Sequence, residues 1–209
     1  MAIVLTDVEA RVLGALVEKD IATPDYYPLS LNALLNACNQ KNNRDPVMNL
    51  DENQVREALS GLEAMGLAGP ASSADSRVTK YEHHLQDAFN FSRGETAVIC
   101  VLLLRGPQTL GELRSRTERL HRFEDLEAVQ AALQHLMRRE PPLAVMLPSG
   151  NASFAATLRR SGVSRVRPSG RIEGVRIFHG TSGLPVQPLS VAVDLKLTVA
   201  FESGDHFPI

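Results

Sequence analysis

Arginine is the residue type whose placement in this sequence most invites a chemical reading. Arg114, Arg116, Arg119 and Arg122 stand at i, i+2, i+5 and i+8, which spreads them over one broad side of a helix and its exit. Guanidinium groups set out this way can neutralise phosphate oxygens. An arginine-rich solvated helix is the plainer reading at about even weight. Two smaller basic groups accompany them. Lys41 and Arg44 flank Asn42 and Asn43, and Arg77 and Lys80 fall in a short polar-to-apolar stretch. Charges of that last kind also keep edge strands from aggregating. A fourth set, Asn53, Gln54, Arg56 and Ser60, holds side chains able to read base edges. Asp51, Glu52, Glu57 and Glu63 share that stretch and leave it at −3 with Arg56 counted, so it repels phosphate.

Other chemistry finds little support. The six histidines, His83, His84, His121, His135, His179 and His206, form no pair with each other or with a cysteine at zinc-ligand spacing. There is no glycine-rich phosphate loop and no nucleophile elbow. Cys38 and Cys100 lie inside apolar helical patterns, which reads as two reduced core thiols. Acidic residues gather at helix starts, where they complement the helix dipole. The expectation is a non-enzymatic binding protein with no metal, nucleotide or prosthetic group.

The elements that must position these residues follow from caps and periodicity. Thr6-Asp7-Val8-Glu9 is a capping box, followed by Val8, Val12, Ala15 and Leu16 at helical spacing. A second helix starts at Ser30 with Leu31, Leu34, Leu35 and Cys38 on one side. A third starts at Asp51, with Val55, Ala58, Leu59, Leu62 and Met65 inward and Gly66 as its stop. Leu67 to Pro70 and Arg77 to Tyr81 then read as a hairpin. The order recurs. Ser92-Arg93-Gly94-Glu95 caps a helix that buries Val98, Ile99, Leu102 and Leu103 and ends at Gly106-Pro107. Thr109 to Glu112 opens the next, a third runs from about Asp125 to Pro141-Pro142, and Leu143 to Leu147 begin a strand that Ser153 to Leu158 can return. Helix, helix, helix, hairpin, read twice, is the order of a winged helix. The predicted fold is mainly α with small β-hairpin wings: two tandem winged-helix units of helix-turn-helix type, residues 4–90 and 91–160, and a basic tail, 161–209, either poorly ordered or a short strand.

Totals bound the function without naming it. The 209 residues are 44% hydrophobic and 22% charged, with 5% aromatic and no tryptophan, so the core rests on Leu, Val, Ala and Ile. The net charge of −2 hides a gradient: 7 Lys+Arg against 13 Asp+Glu over residues 1–91, 8 against 7 over 92–146, and 7 against 4 over 147–209. The apolar stretch before Thr6 is too short for a signal peptide, and Ala97 to Leu104 is less than half a membrane span. The cytoplasm is the expected location, with no membrane partner.

Longer strings carry a family resemblance. Tyr27-Pro28-Leu29-Ser30, Ala37 to Val47, Arg77 to Tyr81, Leu102 to Thr109 and Gly111-Glu112-Leu113-Arg114 together resemble the YceH family of bacterial proteins, over residues 4 to about 147. The resemblance implies a tandem winged-helix fold and supplies no activity or catalytic residue. The tail departs from that pattern. Residues 149–188 are rich in Ser, Gly, Arg and Pro, and Val191 to Phe201 alternate as in a strand, which suits a recent extension or an altered reading frame. The winged-helix order points to a DNA-associated regulator. Its candidate contacts are Lys41, Asn42, Arg44, Asn53, Arg56, Arg77, Lys80, Arg114, Arg116, Arg119 and Arg122. Acidic third helices favour the competing class, a protein-interaction module of the segregation and condensation protein B type, by analogy of fold alone. A homodimer is compatible with either. The connection from Asn39 to Leu50 is about three times longer than a helix-turn-helix needs, which slightly favours a binding loop over a rigid packing loop.

Overall fold

The computed structural model describes residues 5–71, 78–147 and 153–156. Among them the chain is mainly helical, with two small antiparallel sheets. Helix α1 (Asp7–Ala22) is followed by a 3-10 turn, strand β1 (Leu29–Ser30), α2 (Leu31–Cys38), α3 (Glu52–Ala64), β2 (Ala68–Pro70) and β3 (Lys80–His83). After a one-turn helix α4 (Leu85–Phe89), the order repeats as α5 (Arg93–Arg105), β4 (Gln108–Thr109), α6 (Leu110–Thr117), α7 (Leu126–Arg138), β5 (Ala144–Leu147) and β6 (Ser153–Ala156). Each sheet places its third strand in the middle. β3 pairs Leu29 with Tyr81 and Ala68 with His83, and β6 pairs Gln108 with Phe154 and Ala144 with Ala156.

Local chemistry explains where the helices start. Thr6–Glu9, Asp51–Gln54, Ser92–Glu95 and Thr109–Glu112 each form a reciprocal capping box, and Ser30 and Asp125 cap α2 and α7 with a single side-chain bond. Each cap is worth about 1 kcal/mol. α3 ends where Gly66 takes φ 66°, a left-handed turn that costs glycine nothing. The predicted caps stand where the sequence puts them. The two-residue strands β1 and β4 and the one-turn α4 are additions, and the tail from residue 157 onward lies outside the described residues.

The packing departs from a one-sided reading of the helices. Residues 10–17 of α1 are buried without a break, as are residues 97–104 of α5. A helix apolar on all sides must be covered on all sides. α1 packs on α2, α3 and β3, and its remaining face packs on α5, which in turn carries α6, α7 and β6. The core is therefore one continuous cluster, from Leu16 and Leu62 through Ile99 and Leu102 to Leu133 and Phe154. The crossing is close because Gly14 has no side chain: a Cβ there would stand 2.9 Å from Leu104. Cys100 Sγ donates to the Gly14 carbonyl at 3.6 Å.

Candidate functional site

The predicted contact residues separate by what their cations already touch. Arg44 corrects the reading of its loop. It is buried, its Nε and Nη2 donate to the Ala37 carbonyl at 3.1 and 2.8 Å, its Nη1 donates to the Asn43 carbonyl, and Nη2 pairs with Glu18 at 2.7 Å. A guanidinium with those partners is unavailable to a phosphate. Only Lys41 and Asn42 of that group are exposed.

The loop from Asn39 to Leu50 is held as a packing element. The Asn39 side-chain amide donates to the Leu50 carbonyl and accepts from the Leu50 N–H, both at 2.8 Å. Asp45 N–H donates to the Leu104 carbonyl at 2.9 Å, and Arg105 Nη2 donates to Asn43 Oδ1 at 2.6 Å, so the loop docks on the end of α5. From below, Arg11 donates to Cys38, Pro46 and Leu104 carbonyls at 3.2, 2.7 and 3.4 Å. Burial, and then the nearby Arg44, lower its pKa.

On α3, Asn53 and Arg56 are exposed, but Arg56 lies along Glu52 at 2.6 Å and Gln54 is used by the cap. Glu57 and Glu63 stand exposed on the same helix. Lys80 is half-buried in β3, and Arg77 lies outside the described residues. The grouping of Lys41 with Arg44 is therefore split between surface and core, and that of Arg77 with Lys80 lies partly outside the described residues.

The arginines of α6 and its exit fare differently. Arg114, Arg119 and Arg122 are exposed, while Arg116 is half-buried. Arg114 donates to the Glu124 carbonyl at 2.9 Å, and Arg116 pairs with Glu112 at 3.1 Å and also donates to Gln108. Arg122 reaches Glu118 at 3.9 Å with both side chains largely in water, an arrangement worth little. Arg119 forms no ion pair or hydrogen bond among the described residues.

Arg116 and Arg119 also line a cleft of about 250 Å³ between α1, α5 and α6. Asn43, Arg105, Ser115 and Glu18 supply its other polar groups, and Ala22, Val101, Leu104 and Leu120 its apolar floor. Arg105 was not among the predicted contacts. Its sequence signal is faint: a single arginine before Gly106-Pro107 reads as a helix end. Burial and then the adjacent Arg116 lower its pKa. On the far side of Arg105, a second cleft of about 220 Å³ is lined by Asp7, Arg11, Asp45 and Met48 among others.

Two further side-chain sets have structural consequences. His83 Nε2 lies 3.3 Å from Asp20 Oδ2, its Nδ1 accepts from the Leu85 N–H, and its own N–H donates to Tyr27 Oη at 2.7 Å. That pins β3 to the end of α1 across a sequence gap no local pattern spans. The cysteines are buried in the core as free thiols. Burial pushes Cys38 up to about 12, against Arg44 and Arg11, and pushes Cys100 up as well, with Glu18 adding to the rise. Neither thiol is poised as a nucleophile. Among the described residues no group of His, Cys, Asp and Glu is placed to hold a metal ion, and no helix is long and apolar enough to cross a membrane.

Fold and site together define a mainly helical protein with two small antiparallel sheets, an arginine group on α6 and its exit, and a cleft beside it. Residues 5–152 match the family described as "Protein of unknown function, DUF480", and the chain belongs to it. It is 59% identical over 148 residues to a UPF0502 protein of Koribacter versatilis, covering 71% of this chain and 69% of that one. A UPF0502 protein of Geobacter sulfurreducens is 56% identical over 149 residues, covering 71% and 67%. One of Solibacter usitatus is 60% identical over 128 residues, covering 61% and 62%.

Proposed function

We propose that this chain is a non-enzymatic cytoplasmic binding protein made of two winged-helix units, about residues 4–90 and 91–160, and that its partner is double-stranded DNA. The repeated order supports the fold reading: helix, short strand, two helices, two strands, with a three-stranded sheet closing each set. In that reading β2–β3 and β5–β6 are the wings. The buried, protonated thiols support the non-enzymatic reading.

The observation that carries the DNA reading is the exposed arginine group Arg114, Arg119 and Arg122, in which Arg119 has no ion pair or hydrogen bond among the described residues and Arg122 only a weak ion pair. Phosphate contacts position a winged helix through such cations. The second unit would lead, because the exposed face of α3 in the first carries Glu52, Glu57 and Glu63. The test is binding of the full chain to random duplex DNA across a salt series. Replacing Arg114, Arg119 and Arg122 together by Gln should weaken binding at low salt and reduce the log–log salt slope by about 2–3. Absence of binding by the native chain at low salt overturns the reading.

The acidic α3 face favours a second reading, a docking module for a basic protein partner, with a second copy of the chain as one form of it. In that case Glu57→Lys with Glu63→Lys abolishes capture of the partner, and the arginine variant leaves it intact.

A further inference from the structure

The cleft between α1, α5 and α6 holds more positive charge than its surroundings balance. The one carboxylate among its lining residues, Glu18, is committed to Arg44 at 2.7 Å. Of its three guanidinium groups, Arg116 is matched by Glu112 at 3.1 Å. Arg105 has only the neutral Asn43 Oδ1 at 2.6 Å, and Arg119 has no partner among the described residues. Two cations without an ion pair among the described residues, Arg105 offset only through space by Asp45 and Glu18, therefore face one concave space whose floor is Val101, Leu104 and Leu120.

Burial and the like charge of Arg116 act against the Arg105 cation. Cations held in that state gain most from an anion that replaces the lost water. A phosphate monoester carries about −1.5 to −2 at pH 7, which matches two free guanidinium groups better than a single carboxylate does. The cleft, at about 250 Å³, lies at the small end of ligand cavities. It suits a phosphate attached to one ring or a short chain, and is too small for a dinucleotide.

We propose that this cleft is a binding site for a small organic phosphate, its oxyanion bridging Arg105 and Arg119 and its apolar body lying on the floor formed by Val101, Leu104 and Leu120. The site shares Arg119 with the DNA reading, whereas Arg114 and Arg122 do not line it and so tell the two apart.

Calorimetric titration of the full chain with phenyl phosphate tests the assignment. Saturable binding is expected, tighter than for inorganic phosphate because the ring covers apolar surface. Arg119→Gln and Arg105→Gln should each weaken it about tenfold or more, the loss of one charge-assisted contact. Arg119→Gln removes no ion pair or hydrogen bond among the described residues, so the fold is expected to be retained even where Arg105→Gln disturbs Asn43. The double variant Arg114→Gln, Arg122→Gln should leave phenyl phosphate binding unchanged while weakening DNA, so failure of one reading is visible apart from failure of the other. Absence of saturable phenyl phosphate binding overturns the proposal, and so does an affinity unaltered by Arg119→Gln.

Discussion

Lys41 and Arg44 stand three positions apart in a run of polar residues, yet one lies in water and the other in the core. The difference is in what each can satisfy. The planar guanidinium of Arg44 donates to the carbonyls of Ala37 and Asn43 and to Glu18 at once, a geometry a lysine ammonium cannot reproduce. Arg44→Met would leave the Glu18 carboxylate and the Ala37 carbonyl without their donor. Breaking a partly buried pair of this kind costs about 3 kcal/mol, so the urea midpoint should fall markedly. Lys41→Met, at an exposed position, should stay within about 0.5 kcal/mol of the native chain. Equal effects from the two would place Arg44 outside the core network. Arg44→Lys should recover only part of the loss, since it restores charge without the fork.

Helix α6 shows how a local cap reaches the surface chemistry. The Thr109 N–H and hydroxyl both donate to Glu112 Oε2, at 2.9 and 3.0 Å, and the Glu112 N–H donates back to the hydroxyl at 3.3 Å. The Thr109 backbone bond, foremost, holds the Glu112 carboxyl below its usual range, with the Thr109 hydroxyl and Arg116 adding to the effect. A carboxylate whose folded value is depressed stabilises the fold above its unfolded value, and that contribution is lost as pH falls through the folded one. Urea midpoints measured from pH 6 down to pH 3 should therefore decline less steeply in Glu112→Gln than in the native chain. Parallel declines would mean that the cap does not contribute. Such caps were legible in the sequence because donor and acceptor lie three residues apart, and so was the apolar spacing of α3 and α7. β1 and β4 were not, because two residues carry no periodicity. Nor was the role of Arg44 or Arg105, because charge alone does not say whether a side chain meets water or a distant carbonyl. The arginines of α6 were found by spacing, whereas the cleft they share with Arg105 and Asn43 depends on how α1 meets α5.

That meeting of α1 and α5 decides whether the molecule behaves as two units or one. The caps and periodicity divide the chain near residue 91, and each set of helices has its own sheet. The core does not divide there. Leu13, Val17, Ile99 and Leu102 belong to one cluster, and the Asn39–Leu50 loop of the first set hydrogen-bonds to the end of α5 in the second. Small domains of this size gain a large share of their stability from surface buried in this way, so the two halves should unfold together. The sequence provides its own probe: there is no tryptophan, and all three tyrosines, Tyr26, Tyr27 and Tyr81, lie in the first half. Tyrosine fluorescence thus reports that half alone, and far-ultraviolet circular dichroism reports both. Their urea transitions should coincide in the native chain. In Gly14→Val the new side chain meets Leu103 and Leu104, whose nearest atoms stand 3.1 and 2.9 Å from where a Cβ would be. Overpacking of this kind costs about 1–3 kcal/mol, charged almost wholly to the contact between halves. The two transitions should then separate, and the phenyl phosphate cleft, which draws on both α1 and α5, should weaken with them. Transitions already separate in the native chain would mean that α1 and α5 touch without coupling, and that each set of helices with its sheet carries its stability alone.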